Sequence, residues 1–563
     1  MRRRLLAALA LGLVLAAPQA APAHAGGPSA YPSQSLVPAR SARAFGESVG
    51  VNVRLHLSNS SYGDFETVKA RLLELGVRHV GDGLCPTCEH QIDRLKRLAA
   101  LGIRANLGLG NQNDSAVMQQ GLQVIRSRLR DSVVSVTGPN EPDLSGDPQW
   151  IAHTRAYQAD LYARVKGDPA LRHLPVIGPS LVYRPSRAAL GDLSAHLDWG
   201  NIHPYPAGVL PMADLALEHQ LAAHVAGSKP LVATEVGYHN DISFTGVHRG
   251  ASERASAAYT PRLVLEGFRE GLVRTYLFQL ADAWSPAQAQ AWGIAGPSNA
   301  FGLLRWDLSR KPAFIALRNL LRAVKAGSAP VAAPGGLRYG LEGAGPDVRQ
   351  LLLRAADGSY ALVLWRQVSV WDRDALRDLS PAPQRLDVVF GEPLALAQRF
   401  DPVSSEAESG RWSRPRRIPV ELAGAPVVLR LTPPSPAAPA PAQPGWRLKL
   451  ARTKKRQRLR KHVVIKVSCT GSCASVAARG RLAVKRKRSG RRKVFKLRPA
   501  KSRLRNGRAT LRLKIRWKAR RAAARALRRG GRAKATVFVT ARSATGAKLG
   551  TRKKRIVLRL GSR

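Results

Sequence analysis

The sequence predicts an α/β fold in which a (β/α)8 barrel is followed by a β-sandwich accessory domain and a basic, all-β immunoglobulin-like domain. Three observations lead to this prediction. Between residues 50 and 325, short apolar runs alternate with amphipathic stretches, which is typical of parallel strands joined by crossover helices. From 337 to 431 the apolar residues follow a period of two, as in antiparallel strands. From 447 onward, strand-like runs continue in a segment that has no acidic residue.

Eight strands are predicted in the first region, and this number closes a barrel in roughly 250 residues. The predicted strands are 50–57, 78–84, 103–110, 133–137, 174–182, 200–205, 230–236 and 274–280. The predicted helices are 65–75, 91–101, 116–129, 150–165, 215–225, 255–270 and 312–324. In the first helix, the spacing of Phe65, Val68, Leu72 and Leu75 forms one buried face. An open doubly wound sheet is the alternative, but its glycine-rich phosphate loop after the first strand is missing.

The pattern changes predict the domain boundaries. Residues 45–326 form the TIM barrel and residues 335–431 the accessory sandwich, in which turns such as Asp357-Gly358 separate the strands. Residues 432–446 are a linker rich in Pro and Ala, which we expect to be extended and semi-rigid. Residues 447–563 form the basic domain. Disorder caused by self-repulsion is the alternative for this last segment, although its regular apolar runs favour a fold.

The first 25 residues have the features of a secretory signal peptide. Three arginines, at positions 2–4, precede an apolar run over 5–17 and a small-x-small cleavage site ending at Ala25. The apolar run is too short for a comfortable membrane span, and no later segment is long and apolar enough to be one. We therefore expect a secreted, extracellular protein without a transmembrane segment. Any association with a cell surface would not depend on a membrane-spanning helix.

Positive charge is concentrated at the C-terminus. The net charge is +54, and residues 447–563 hold 44 Lys and Arg with no Asp or Glu, which leaves about +7 for residues 26–446. A block of this kind indicates an anionic partner, such as an acidic polymer or the cell envelope. Aromatic residues are sparse in this block, so specific recognition of nucleic acid is not expected.

The four cysteines form two close pairs, Cys85 with Cys88 and Cys469 with Cys473. In an exported chain, local disulfides are the ordinary interpretation of such pairs. The histidines are scattered, and no metal-binding spacing, dinucleotide fingerprint or phosphate loop is present. The sequence therefore predicts neither a metal nor a cofactor.

Two glutamates stand at the ends of predicted barrel strands, where barrels place their reactive groups. Glu141 follows the fourth strand, and Glu235 is close to the end of the seventh. Two carboxyl groups facing each other across a barrel mouth suit glycoside hydrolysis, in which one protonates the leaving oxygen and the other attacks the anomeric carbon. We expect the first carboxyl group to stay protonated near neutral pH because the neighbouring negative charge raises its pKa.

These motifs resemble glycoside hydrolase clan A, the retaining barrel glycosidases that include families 5 and 39, over about residues 48–325. The segment Asn140-Glu141-Pro142 is similar to the acid/base motif of the clan. The resemblance makes Glu141 the acid/base, Asn140 a ligand of the sugar 2-hydroxyl and Glu235 the nucleophile. The segment His203-Pro204-Tyr205 is similar to a motif whose side chains orient the nucleophile. Trp284, beyond the eighth strand, matches an aromatic platform under the sugar.

One position departs from this pattern. Relatives often carry an Arg near the end of the second strand that keeps the nucleophile ionised, and the aligned residue here is Gly81. His56, on the inward side of the first strand, is a further candidate for contact with the substrate. The predicted function is a secreted retaining glycosidase that acts on a poly- or oligosaccharide. The alternative is a carbohydrate-binding surface protein with weak or no catalysis, attached to anionic polymers by its basic tail.

Overall fold

The computed structural model describes residues 35–294, 297–434, 446–450, 453–471 and 473–561. The predicted signal peptide, residues 1–25, lies outside the described residues, and so does most of the predicted linker. The chain divides into two compact units, Met1–Pro434 and Ser435–Arg563. Each unit has a hydrophobic core of its own.

Eight parallel strands form the central sheet of the larger unit. They pair in the spatial order five, four, three, two, one, eight, seven, six. A parallel bridge between Ile177 and Trp199 joins the two edge strands and closes the sheet, which confirms the predicted barrel. In chain order the strands are Val49–Asn52, His79–Gly83, Arg104–Gly108, Val133–Thr137, Val176–Ile177, Gly200–Ile202, Leu231–Val236 and Thr275–Leu277.

A helix follows each barrel strand. The first helix, Phe65–Leu75, buries the four apolar residues that the spacing predicts, begins at the Asp64 cap and ends at Gly76, whose φ is 83°. Within the described ranges, no helix combines the length and apolar composition that a membrane span needs. The other seven helices are Glu89–Ala100, Ser115–Val124 with a π-helical extension Ile125–Leu129, Trp150–Gly167, Arg184–Leu190, Leu215–Ala226, Glu253–Arg269 and Pro312–Ala323.

Short helices and 3-10 turns lie between the main strands and helices. Two of them lie near the barrel mouth, a 3-10 turn after the fourth strand and a helix after the eighth. The short elements are Ala42–Glu47, Ser61–Gly63, Pro142–Leu144, Ser194–His196, Pro286–Ala291 and Pro297–Asn299.

The fifth strand is much shorter than the predicted 174–182. It spans only Val176–Ile177, because the N–H of Val176 donates to the Asp198 carboxylate at 2.7 Å and not to a neighbouring strand. Pro179 then has no N–H to offer, and the chain turns into the short helix Arg184–Leu190.

Two sheets form the accessory sandwich, and residues 35–41, which precede the barrel, supply an edge strand to each. Side chains from both sheets share one apolar core. The first sheet contains, in spatial order, Ser35–Pro38, Gly336–Glu342, Gln384–Phe390 and Arg417–Leu422. The second contains Glu408–Ser413, Leu396–Phe400, Val427–Thr432, Tyr360–Arg366, Val348–Arg354 and Arg40–Ser41, and a separate ribbon pairs Trp371–Asp372 with Arg377–Asp378.

The seventh helix, Glu253–Arg269, packs the sandwich against the barrel. Its buried Glu266 accepts a hydrogen bond from the Trp365 indole at 2.7 Å. The buried Arg262 donates to the carbonyls of Val368 and Gly424 at 3.0 and 3.2 Å. Because buried polar groups are costly without partners, these bonds fix the sandwich in one position on the barrel.

The smaller unit is all-β apart from one helix, as predicted. Along one strand, Val463, Ile465 and Val467 are buried and Lys466 is exposed, the alternation of a sheet with one wet face. The first sheet contains Arg447–Lys449, His462–Thr470 and Arg508–Lys514. The second contains Arg456–Arg458, Lys548–Arg559, Arg532–Arg542, Ser475–Lys485, Arg492–Lys496 and Ala500–Arg503, and the helix is Trp517–Arg528.

Both predicted cysteine pairs are disulfides. Cys85 is bonded to Cys88 in the larger unit, and Cys469 is bonded to Cys473 in the smaller one. Each closes a loop of only a few residues, so each stabilises its fold locally.

Glu74 ties the first barrel helix to the eighth. Its carboxylate receives Arg71 at 3.0 Å and both Arg310 and Arg318 at 2.8 Å. Burial works against ionisation, but the hydrogen bonds from the three arginines lower the pKa of Glu74 to about 2.

We expect Glu74→Gln to lower the free energy of unfolding by about 1–2 kcal/mol at pH 7, since the amide cannot replace the charge. The pKa of Glu74 is about 2 in the folded chain against an ordinary 4.5. The stabilisation is therefore present above pH 4.5 and is lost as the pH falls toward 2. Guanidinium unfolding followed by tryptophan fluorescence at pH 7 and at acidic pH measures the difference.

The matched control is Glu421→Gln, whose partner Arg385 is 86% exposed. This control should change the free energy by less than about 0.5 kcal/mol. If Glu74→Gln lowered the free energy of unfolding equally at both pH values, the charge of Glu74 would not be the source of the stabilisation.

Candidate active site

Two glutamates from distant parts of the chain meet at the C-terminal end of the barrel. Glu235 belongs to the seventh strand, and Glu141 follows the end of the fourth. Glu141 has a φ of 47°, in the left-handed region that residues other than glycine adopt rarely, and its N–H donates to the Ser180 hydroxyl at 3.0 Å. A carboxylate oxygen of each glutamate and a ring nitrogen of His203 all lie within 4.8 Å of one another.

His203 lies between the two carboxylates and is almost fully buried. Its Nδ1 is 2.7 Å from Oε1 of Glu141 and 3.9 Å from Oε2 of Glu235. Its Nε2 is 2.8 Å from the Thr234 hydroxyl, which itself donates to Oδ1 of Asn201 at 2.8 Å. Since the hydroxyl proton is committed to Asn201, Nε2 must be the donor to Thr234. The Nδ1 atom is therefore the one that exchanges a proton with the glutamates.

Tyr205 holds the other side of Glu235. Its hydroxyl donates to Oε2 of Glu235 at 2.8 Å. The ring packs edge-on against His248, Phe278 and Phe301, with centroids 5.5, 6.4 and 5.4 Å away. Burial, together with the neighbouring carboxylates, raises the pKa of Tyr205 well above its usual value, so it is a hydrogen-bond donor and not an anion.

The pKa values of the two glutamates are shifted in opposite directions, and the order is the reverse of the expectation from the sequence. Burial raises the pKa of Glu235, and the charge of Glu141 adds to this, against the opposing effects of His203 and Tyr205. Burial also disfavours ionisation of Glu141, but the hydrogen bond and charge of His203 lower its pKa below the ordinary value. Of the two carboxyl groups, Glu235 is therefore the harder to ionise. The expectation of a raised pKa for Glu141 is wrong because His203 bonds directly to Glu141.

Gly81 has no room for a side chain. A Cβ atom there would lie 2.7 Å from Oδ1 of Asn52 and 3.4 Å from the Tyr276 ring. The nearby cation is Arg54, which follows the first strand and donates from Nε to the Gln279 side chain at 3.0 Å. Its positive charge lowers the pKa of Glu235, although less than burial raises it.

The other predicted site residues lie near the mouth without touching the carboxylate pair. Asn140 is exposed, and its Oδ1 accepts from Ser180 at 3.3 Å. Trp284 packs edge-on against Trp292, with centroids 6.0 Å apart. His56 lies with its Nδ1 3.6 Å from the buried carboxylate of Asp82. Within the described residues, no hydrogen bond or ring contact joins these three side chains to either glutamate.

Sequence reasoning missed Thr234, Asn201 and Arg54. Thr234 directly precedes Glu235 in the seventh strand, and the side chains of both residues reach the His203 ring. Asn201 lies in the sixth strand, and Arg54 follows the first. A search for polar residues at the ends of all eight strands would have found them, since these ends converge.

Glu141, His203 and Glu235 are also the group whose ligand atoms come closest to a metal-binding arrangement in the described part of the chain. Each imidazole nitrogen already has a hydrogen-bond partner. The three ligand atoms lie within 4.8 Å of one another, and two ligands each about 2.0–2.2 Å from one ion are less than about 4.5 Å apart. The arrangement is better suited to sharing protons than to holding a metal ion.

Comparison with known proteins shows a similarity of fold to solved structures and no more. No family model and no curated protein matches the chain. Among solved structures, the family 39 glycoside hydrolase from Xanthomonas axonopodis pv. citri superposes with a TM-score of 0.48 at 15% identity, covering 74% of this chain and all of that one. A monomeric β-xylosidase from Caulobacter crescentus gives 0.47 at 14% identity, covering 72% and 98%.

A family 17 β-1,3-glucanosyltransferase from Rhizomucor miehei gives a TM-score of 0.37 at 19% identity, covering 47% of this chain and 95% of that one. The structural neighbours are thus glycoside hydrolases of families 39 and 17, at low identity. With TM-scores below 0.5, the likeness carries no argument about the reaction of this chain.

We expect His203→Gln to raise the pKa of Glu141, because the substitution removes the positive charge that offsets burial of the carboxylate. A water-soluble carbodiimide reacts with protonated carboxyl groups, so mass spectrometry of the Glu141 peptide reports its titration. The pH of half-maximal labelling should move upward in the variant. Labelling of the exposed Glu421 in the same digest is the internal control. An unchanged profile at Glu141 would show that His203 does not set its ionisation.

Proposed function

We propose that this chain is a secreted, retaining glycoside hydrolase that cleaves O-glycosidic bonds of a poly- or oligosaccharide. The observation that supports this best is the approach of Glu141 and Glu235, whose oxygens lie within 4.8 Å at the mouth of a barrel. Retaining enzymes keep their carboxyl groups about 5–5.5 Å apart, whereas inverting enzymes need about 6.5–9.5 Å to admit a water molecule between acid and base.

Glu235 is the nucleophile in this proposal and Glu141 the acid/base, as in the resemblance to clan A. The Glu235 carboxylate attacks the anomeric carbon while Glu141 donates its proton to the departing oxygen. Glu141 then takes a proton from water, which attacks the glycosyl-enzyme ester and releases Glu235. Asn140 and Trp284 are proposed to bind the 2-hydroxyl and the apolar face of the sugar.

The reaction needs the proton on Glu141, although the pKa of Glu235 is raised and that of Glu141 is lowered. His203 lies on a route for the proton between them, because its Nδ1 is 2.7 Å from one carboxylate and 3.9 Å from the other. Transfer of the Nδ1 proton to Glu141, with uptake of a proton from Glu235, gives the reactive arrangement. Both carboxylates and the imidazole titrate as one unit under this proposal.

A carbohydrate-binding protein without hydrolysis is the second candidate. Two observations favour it: Gly81 stands where related enzymes often have an Arg, and burial raises the pKa of Glu235. A nucleophile that holds its proton attacks slowly. This candidate differs from the first in having no covalent intermediate.

Replacement of Glu235 by Gln should lower kcat at least about 1,000-fold and leave sugar binding intact, because the amide cannot act as a nucleophile. A panel of 2-fluoro glycosides with activated leaving groups should label the wild-type chain on the Glu235 peptide, which mass spectrometry identifies.

The matched control is Glu253→Gln, since Glu253 lies on the same end of the barrel and pairs with Arg305. It should retain both turnover and labelling. Turnover that survives Glu235→Gln, or an absence of labelling in a chain that binds sugar, would favour the binding protein.

The basic unit is proposed to attach the secreted chain to an anionic polymer or to the cell envelope. Its 44 Lys and Arg have no acidic residue within 447–563 to neutralise them. On the strand Lys548–Arg559, Arg552, Lys553, Arg555 and Arg559 are exposed, whereas Ile556 and Leu558 are buried in the core of the unit. Such a surface binds by releasing counterions from the polymer.

Binding of the full-length chain to immobilised polygalacturonate should weaken steeply with salt, with a linear relation between the logarithms of affinity and NaCl concentration. We expect a shallower slope, by roughly one unit per cation in contact, when Gln replaces four exposed residues of the last strand: Arg552, Lys553, Arg555 and Arg559. The control replaces four exposed arginines of the sandwich: Arg385, Arg411, Arg416 and Arg417. If both variants changed the salt dependence of binding equally, the basic unit would not be the part of the chain that attaches to the polymer.

A further inference from the structure

Arg54 is a cation at the barrel mouth that the proposed mechanism does not use. It follows the first strand, beside the eighth, whose other neighbour is the strand that carries Glu235. Its Nε donates to Oε1 of Gln279 at 3.0 Å, and its guanidinium lies 5.5 Å from the centroid of the Phe278 ring. Phe278 in turn contacts Tyr205, the hydrogen-bond partner of Glu235.

Other arginines near this end of the barrel are paired with carboxylates. Arg184 binds Asp214 at 2.8 Å, Arg249 binds Asp374 at 2.7 Å, and Arg305 pairs with Glu253. Within the described residues, the guanidinium of Arg54 has no carboxylate within 4.0 Å, and its two terminal nitrogens make no hydrogen bond. A half-buried guanidinium without an anion is costly, unless a ligand supplies the charge.

Glu235 does not form an ion pair with Arg54, since none of its carboxylate oxygens lies within 4.0 Å of the guanidinium nitrogens in the described structure. The charge of Arg54 lowers the pKa of Glu235, but only from a distance. The free edge of its guanidinium, formed by the two terminal nitrogens, remains available to a ligand.

We propose that Arg54 binds the carboxylate of a uronic-acid unit, so that the sugar held at the two glutamates is acidic. The inference rests on the proposed glycosidase function and names its substrate class. The two terminal N–H groups form a planar fork that matches both oxygens of a carboxylate. The bond from Nε to Gln279 holds this fork in one orientation, which lowers the entropic cost of binding.

An acidic substrate also needs a cation near the two glutamates, because their carboxyl groups would otherwise repel it. The site already contains two carboxyl groups, and a uronate would add a further negative charge close to them. Repulsion between like charges is strong where the effective dielectric constant is low. Arg54 and the imidazole of His203 offset it, and the anionic polymers that suit the basic unit include polyuronates.

The test compares aryl glycosides in pairs that differ only at C6, glucuronide with glucoside and galacturonide with galactoside, in both anomeric forms. The full-length chain should cleave at least one uronide with a higher kcat/KM than its neutral partner. In Arg54→Gln, the ratio of uronide to neutral kcat/KM should fall about 100-fold, and Arg54→Lys should restore part of it. Arg249→Gln, which removes a paired arginine from the same rim, should leave the ratio unchanged.

Each aryl uronide carries a single charge, and all variants keep the basic unit, so the ratio reports the mouth of the barrel. A preference of the wild type for neutral glycosides, or an equal loss on both members of a pair in Arg54→Gln, would overturn the proposal for Arg54 and leave the glycosidase intact. If no glycoside is cleaved, the glycosidase proposal fails. The binding of methyl glucuronide and methyl glucoside, measured calorimetrically in wild type, Arg54→Gln and Arg249→Gln, then decides the inference separately.

Discussion

The arrangement of the site depends on the contacts that the His203 imidazole makes with Thr234, Glu141 and Glu235. Thr234 fixes its Nε2 as a donor, because the hydroxyl proton is already committed to Asn201. Only Nδ1 remains, and it faces both Glu141 and Glu235. A buried group that contacts two acids couples their titrations. The charge on each glutamate is therefore a property of three side chains together, and the direct hydrogen bond from His203 favours ionisation of Glu141.

Closure of the barrel is what brings these groups together. In the spatial order of the strands, the fourth is next to one edge of the sheet, and the sixth forms the other edge. In an open sheet, Glu141 and His203 would lie at opposite ends. The bridge between Ile177 and Trp199 joins the two edges, and the loop after the short fifth strand supplies Ser180, which holds the backbone of Glu141. Because the fifth strand is short, its loop reaches Glu141 and fixes the backbone there.

Most of the architecture could be predicted from sequence because it depends on local periodicity. Spacing of apolar residues identified the first helix to the residue, and the strand-end rule brought Glu141 and Glu235 to one face. Their protonation could not be predicted, since it depends on which glutamate His203 bonds, and this is decided by side-chain directions across the barrel. Arg54 was missed for a similar reason. The resemblance to clan A places an arginine at the end of the second strand, whereas Arg54 follows the first strand.

The basic unit shows how far a fold can depend on its apolar core alone. Without a single acidic residue in 447–563, this segment has no internal ion pair to offset repulsion among its cations. Its cohesion comes from backbone ladders and from alternating Val, Leu, Ile and Ala side chains that meet between two sheets. Any polyanion that binds the folded surface relieves the repulsion and stabilises the fold by the free energy of binding. Under the proposed attachment, binding of a polyanion and stability of this unit would depend on the same electrostatic interaction.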